Sequence, residues 1–215
     1  MALVLVKLAQ LAADIPEITA LDINPLLADR EGVIALDARV AVAPVRKLHK
    51  GRGHPRFAIF PYPKEWERRI ALGDGAHALV RPVRPEDDAL FRAFFARVTD
   101  EDLRLRFFQS VKHFSHEFIA RLTQLDYARS IALVAIDPKT GDMLGAVRLH
   151  ADADYARGEY GILIRSDLKG HGIGWQLMRI MIEYARWLGL KLIEGVVLRE
   201  NRTMLAMCQS LGFGV

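Results

Sequence analysis

Gly170, Gly172 and Gly174 stand at alternate positions in the run KGHGIG. They lie between a short apolar stretch, EYGILI at 159–164, and an amphipathic stretch that opens directly after them. Strand, glycine loop and helix in that order make an anion site. The first turn of a helix leaves backbone N–H groups without partners and carries the positive end of the helix dipole, so a phosphate docks there if the backbone can come close. The groups concerned run from Gly170 through His171, Gly172 and Ile173 to Gly174, and the glycines remove side chains that would block the approach. His171 reads equally as a phosphate contact or as a solvated side chain. In the preceding strand, Glu159, Gly161 and Leu163 share one face and Tyr160, Ile162 and Ile164 the other. Glu159 therefore lies in line with a glycine, where a ligand can rest against the backbone.

Several elements must hold these residues. Downstream, Ile173, Leu177, Ile180, Met181, Tyr184 and Leu188 form a helical apolar stripe, Arg179 and Glu183 are spaced to pair at i,i+4, and Gly189 is placed as the stop. Trp175, Met178, Met181 and Trp187 read as packing residues. A strand over Lys191–Leu198 is expected next, parallel to the first by the right-handed crossover rule, and a last helix from about Asn201. Upstream, a strand at Ala78–Val83 precedes a helix from Pro85 to about Arg97 with acids in its first turn. Thr99 with Asp102 marks the start of another helix, and Ser115 caps a third. Ser130–Ile136 and Met143–His150, joined by DPKTGD, read as a hairpin. The pattern is α/β (α+β), a central mixed sheet flanked by helices.

The first 45 residues are different. Leu3, Val6, Leu8 and Leu11 give an apolar helical face, and Ile18–Asp22 and Val33–Val42 read as strands. Such a piece buries little surface alone. Residues 46–62, rich in Pro, Gly and basic side chains, read as a linker pinned by Phe57, Ile59 and Phe60.

Composition narrows the classes. With 51% hydrophobic residues in 215 the chain can build a sizeable core, and no apolar run reaches 18 residues, so a membrane span is not expected. Cys208 is the only cysteine, which suits a reducing, cytoplasmic setting. A net charge of +4 suits an anionic ligand. Basic and aromatic residues do not interleave as a single-strand platform requires, so specific nucleic-acid binding is not expected. His113 and His116 lack a third ligand, and no metal is expected.

KGHGIG before WQLM resembles the acyl-CoA pyrophosphate loop of the GNAT superfamily of N-acyltransferases, in which Gln or Arg is followed by two residues, Gly, one residue, and Gly or Ala. Lys169, Gly172 and Gly174 occupy those places, lysine being a departure that still sets a cation beside a pyrophosphate. Asn201, followed by Phe213 in LGF, is similar to the superfamily's closing motif, beside the cofactor's pantetheine arm. LDINPLLADREGVIALDARV resembles the end of the ATP-grasp module of ADP-forming acyl-CoA synthetases. There the likeness implies Asn24 and Asp37 as magnesium positions, although the glycine loops and lysines that hold ATP have no counterpart and the two also read as a turn asparagine and a strand-end aspartate. YPKEW at 62–66, RPVRPED at 81–87, RFF at 106–108, LDYAR at 125–129 and SDLKGHGIG at 166–174 resemble the Pat-type protein lysine acetyltransferases, which join these two modules in this order. The domains expected are a synthetase-derived remnant at 1–45, a linker at 46–62 and a GNAT domain at 63–215. Beginning mid-module and ending just after LGF, the chain reads as a fragment, with a last strand missing or supplied by a partner.

The resemblance implies transfer of an acetyl group from acetyl-CoA to protein lysine ε-amines, with AMP-forming acyl-CoA synthetases as the targets, no metal and no membrane. A lysine amine with a pKa near ~10.4 is neutral in about one molecule in several thousand at pH 7, so a base is needed. The likeness places Glu159 in that role, directly or through water. It also implies oxyanion donors among the N–H groups of Ile162, Leu163 and Ile164. Cys208 stands where many relatives carry the tyrosine that protonates the leaving thiolate; water or plain packing are the other readings. A small-molecule amine acyltransferase and a non-catalytic acyl-CoA sensor remain as alternatives.

Overall fold

The computed structural model describes residues 2–15, 17–30, 32–44, 60–73, 75–111 and 113–215. The chain divides into two compact units, residues 1–62 and 63–215. The linker expected at 46–62, with Phe57 and Ile59, falls mostly outside the described residues.

In the first unit, helix α1 (Ala2–Asp14) is followed by β1 (Ile18–Ile23), β2 (Leu26–Ala28), β3 (Val33–Ala35) and β4 (Ala38–Val42). β1 pairs with β4 and β2 with β3, both antiparallel. The stretch expected as one strand over Val33–Val42 is thus two, and β2 was not foreseen. The break has a backbone cause: Leu36 N bonds to Pro25 O (3.1 Å) and Asn24 N to Asp37 O (3.2 Å), which turns the chain from one pair to the other.

The second unit is built on a six-stranded sheet. Its strands are β5 (Arg68–Ala71), β6 (His77–Pro82), β7 (Ser130–Ile136), β8 (Met143–Ala151), β9 (Arg157–Ile164) and β10 (Leu192–Glu194), in the order β10-β9-β8-β7-β6-β5. All neighbours are antiparallel except β9 and β10, which are parallel across the helix α5 (Ile173–Leu188). Helices α2 (Asp88–Phe95), α3 (Asp100–Phe107) and α4 (His116–Thr123) precede β7, and α6 (Arg202–Ser210) ends the chain.

Alternation along the strands gives each sheet face its own core. Ile131, Leu133, Val147 and Tyr160 point to one side, where Leu177, Met178, Met181 and Tyr184 of α5 are buried. Ala132 and Val134 point to the other, against Phe91, Phe94, Phe95 and Leu103 of α2 and α3. Each fully buried side chain of this size contributes about 1.5–3 kcal/mol, so the α5 stripe is a principal anchor of the fold. Trp187, half exposed at 50%, packs one side of its ring against Trp66 and Tyr184.

Three further expectations change. β5 was not foreseen, and Glu183 pairs with its Arg68 (2.7 Å) rather than with Arg179. The helix expected from Pro85 begins with a 3₁₀ turn, Pro85–Asp87. The strand expected over Lys191–Leu198 stops at Glu194, and Gly195 just beyond it packs so closely on the Tyr160 ring that a β-carbon there would lie 2.7 Å from it. Among the described residues no helix is long and apolar enough to cross a membrane.

Candidate active site

The short β10 opens a wedge in the sheet. Its last residue, Glu194, is level with Glu159, whereas β9 continues to Ile164. Arg165 N bonds to Leu144 O (2.9 Å), and from that pair the antiparallel alternation turns the N–H and C=O of Leu163 and Gly161 toward β8. The N–H groups of Ile162 and Ile164 face the opposite edge, beyond the reach of β10. Of the three residues proposed from sequence as oxyanion donors, two thus turn their N–H into the opening and Leu163 does not.

The wedge is the floor of a cleft of about 740 Å³. Glu159, Ile162, Leu163, Ile164 and Lys169 line it, as do Gly170, Gly172, Ile173, Gly174 and Asn201. His171 and Cys208 stand off its wall. The carbonyl of His171 accepts from Gly73 N (3.4 Å), and Cys208 is buried with its Sγ 3.1 Å from the Tyr160 hydroxyl. Burial, then the Cys208 partner, push the Tyr160 phenol well above its ordinary pKa.

At one end of the cleft lies the start of α5. Gly172 and Gly170 both have φ +84°, a backbone region closed to most side chains, and a β-carbon at either would meet nothing within 4 Å. The positive φ alone gives both positions a conformational reason to be glycine. Gly174 is helical, and its β-carbon would touch Ile164 Cγ1 at an ordinary 3.5 Å. The first bond back into the helix is Gln176 N to Gly172 O (3.1 Å), so the N–H groups of Ile173, Gly174 and Trp175 are free of the helix ladder. No side chain caps the helix and its first turn holds no acid. These groups fit a pyrophosphate.

Lys169 is engaged elsewhere. Its ammonium bonds to Asp102 of α3, whose other oxygen accepts from Ser166 Oγ (2.5 Å), while Thr99 N donates to the same hydroxyl (2.9 Å). Asp102 thus closes the loop onto α3 instead of completing the expected capping pair; Thr99 alone caps, accepting from Asp102 N (3.3 Å). Burial would raise the Asp102 pKa, but the bonds from Lys169 and Ser166 and the lysine charge outweigh it, and the carboxyl titrates below its ordinary 3.8. A lowered folded pKa gives stability that is present above the unfolded value and lost as pH falls through the folded one. Asp102→Asn is therefore expected to cost about 1–3 kcal/mol at pH 7. Urea unfolding should show that gap closing as the pH falls below 3.8.

At the other end, Glu159 lies five residues before Ile164, roughly 17 Å away along the strand. Beside it the Arg106 guanidinium of α3 covers Gly161 so closely that a β-carbon there would collide with it. Sequence reading quoted Arg106 only as part of RFF and gave it no role. The other quoted motifs are structural: Arg81 and Asp87 form a buried two-pronged ion pair (2.7 Å), Trp66 is buried, and the Tyr127 hydroxyl bonds to Val83 O. Asn201 caps α6, accepting from Met204 N (3.1 Å). In the first unit Asp37 meets Arg39 (3.5 Å), and among the described residues no group of three acidic, His or Cys side chains could hold a metal.

A mixed sheet opened along one strand, running into a glycine loop and an uncapped helix, is the architecture of the GNAT acetyltransferases. Residues 77–214 match the Acetyltransferase (GNAT) domain family, and the chain belongs to it. Residues 1–42 match the ATP-grasp domain family. An acetyltransferase of Pseudomonas aeruginosa is 33% identical over 66% of this chain and 78% of its own length. The acetyltransferase Pat of Mycolicibacterium smegmatis is 28% identical over 67% of this chain, a match spanning 40% of that protein. Among solved structures, the GNAT domain of S. lividans PAT superposes with a TM-score of 0.67 at 27% identity, covering 71% of this chain and 90% of that one.

Proposed function

We propose that this acetyltransferase acts on the ε-amine of protein lysines, with AMP-forming acyl-CoA synthetases as the target class, in a reducing cytoplasmic setting. The observation that carries the reading is the unpaired stretch of β9, with an anion-binding helix start at one end and a carboxylate at the other, in a chain similar to Pat proteins.

Acetyl-CoA, when bound, supplies the activated thioester. The N–H groups of Ile173, Gly174 and Trp175 hold its pyrophosphate, with Gly170 and Gly172 shaping the turn. Ile162 and Ile164 donate along the open strand, where a fixed N–H can hold the thioester oxygen as it gains charge. Glu159 takes the proton from the amine, directly or through water, and the freed electron pair attacks the thioester carbon. The proton returned to the departing thiolate comes from water, since the Cys208 thiol is tied to Tyr160 behind the wall. Residues 1–45 act as a remnant of the synthetase module, joined by the linker at 46–62 to the domain at 63–215.

The test is incubation of the chain with acetyl-CoA and a purified AMP-forming synthetase, followed by peptide mass mapping. A gain of one acetyl group on a lysine, absent without the chain, is the expected result. Acetylation of free amines with the synthetase left unmodified would move the reading to a small-molecule acyltransferase. Calorimetric cofactor binding without transfer to either would make the chain a sensor.

A further inference from the structure

Gly161 has ordinary strand backbone, a conformation in which a side chain normally stands clear of the sheet. Here it would not. A β-carbon at Gly161 would collide with Nη2, Cζ and Nε of Arg106, so the guanidinium rests directly against the strand. Arg106, Gly161 and Glu159 all line the main cleft, and Glu159 is the neighbour of Gly161 on the same strand face, roughly 7 Å along it. A fixed positive charge thus lies beside the carboxylate assigned as base.

That charge is not cancelled by a bonded partner. Among the described residues no acceptor bonds to the Arg106 guanidinium, which lies 5.1 Å from the Phe107 ring centre. Burial, then the charge of Arg148, pull it below its ordinary pKa, with Glu159 opposing them, and an arginine remains a cation at any working pH. Most other charged or titratable groups at this end are engaged. His150 and Arg148 of β8 are the register partners of Glu159 and Gly161; His150 Nδ1 is bonded to Ser130 Oγ (2.6 Å), and Arg148 donates to Arg121 O (3.1 Å). Glu194 of β10, level with Glu159, meets Arg157 (3.7 Å). On the cleft wall Glu200 pairs with Arg104 (2.5 Å) and Asp102 with Lys169, while Glu101 and Arg202 line it with opposite charges.

We propose that Arg106 sets the protonation state of the acceptor amine: its charge opposes a lysine ammonium at Glu159, so the amine is held there neutral. The inference rests on lysine as acceptor and Glu159 as base. A carboxylate alone holds an ammonium as an ion pair, which is the unreactive form. An ammonium in contact with Glu159 would stand within about 10 Å of the guanidinium, one screening length, at a side chain that is half-buried and so little screened. A like charge that near raises the neutral fraction of the amine by about 10-fold. The proton leaves the nitrogen for the Glu159 carboxylate, directly or through water, and no other bond changes in that step.

The test is steady-state kinetics with acetyl-CoA and a peptide carrying one lysine and a blocked N-terminus. In Arg106→Gln, kcat and KM are both expected to be about 10-fold lower at pH 7, because the ammonium complex it stabilises is unproductive. Its kcat profile should lie about one pH unit to the alkaline side of that of the unsubstituted chain. Arg106→Lys should keep the original profile. Gly161→Ala, which forces the guanidinium off the strand, should behave as Arg106→Gln does, and combining the two should add nothing further. Unchanged coenzyme A affinity in each variant is the check on folding. Superposed kcat profiles, or a loss of kcat at every pH with a raised KM, would overturn the inference. No transfer to the peptide by the unsubstituted chain fails the lysine reading, and full rate in Glu159→Gln fails the base; both results are seen without any Arg106 variant.

Discussion

Glu159→Gln is expected to lower kcat by about 10²- to 10⁴-fold while leaving the affinity for acetyl-CoA unchanged. The two halves of this result come from the length of β9. Glu159 sits where β10 ends, roughly 17 Å of strand from the residues beside the helix start, so an isosteric amide there leaves the helix start untouched. An amide cannot accept the amine's proton at neutral pH, and the rate then rests on the small fraction of lysine that is already neutral. Raising the pH supplies more neutral amine, so the deficit should narrow steeply in alkaline buffer. Steady-state kinetics across that range, beside calorimetric cofactor titration, checks both halves; full activity at neutral pH would remove Glu159 from the role.

Gly174→Asp should move stability and binding in opposite directions. A side chain fits at this position, with its β-carbon 3.5 Å from Ile164 Cγ1, and the backbone is ordinary helix. A carboxylate in the first turn of α5 interacts favourably with the dipole, worth about 0.3–1 kcal/mol, and glycine is a poor helix residue to begin with. The variant is therefore expected to unfold at the same temperature or higher. The same carboxylate lies where a pyrophosphate would dock, and like charges set together cost several kcal/mol, so the dissociation constant of acetyl-CoA should rise about 100-fold or more. Thermal unfolding paired with calorimetry separates the two. Loss of both stability and binding would mean that Gly174 is there for the fold.

Local signals were legible in the chain and tertiary ones were not. Thr99, Ser115 and Asn201 were readable as helix starts because a cap is a bond across three residues, and each accepts that bond here. β7 was readable end to end because seven apolar or small residues with turn signals on both sides leave few alternatives. The glycine loop was legible as a loop, but the positive φ of Gly170 and Gly172 was not, since φ is not written in residue spacing. The partner of Lys169 lies 67 residues away in sequence and depends on how α3 packs on the sheet. That Arg106 lies over Gly161, the register partner of Arg148, required both that packing and the β8–β9 register. The close packing of the Tyr160 ring on Gly195, just past the end of β10, is another such contact. Contacts of this kind have no local signature.

The open edge of β9 also bears on how the chain behaves without its cosubstrate. A strand whose N–H and C=O groups face outward is a template for pairing with any other extended chain, and sheet proteins ordinarily cover or interrupt such edges. Here Ile162 and Ile164 sit at the bottom of the wedge that opens where β10 stops. An extended molecule with amides of its own would fill that slot as a strand does, so a pantetheine arm bound there would act as a seventh member of the sheet. Ligand that binds only the folded state also shifts the folding equilibrium toward it. Cofactor supply would then govern the solubility and lifetime of the protein as well as its turnover.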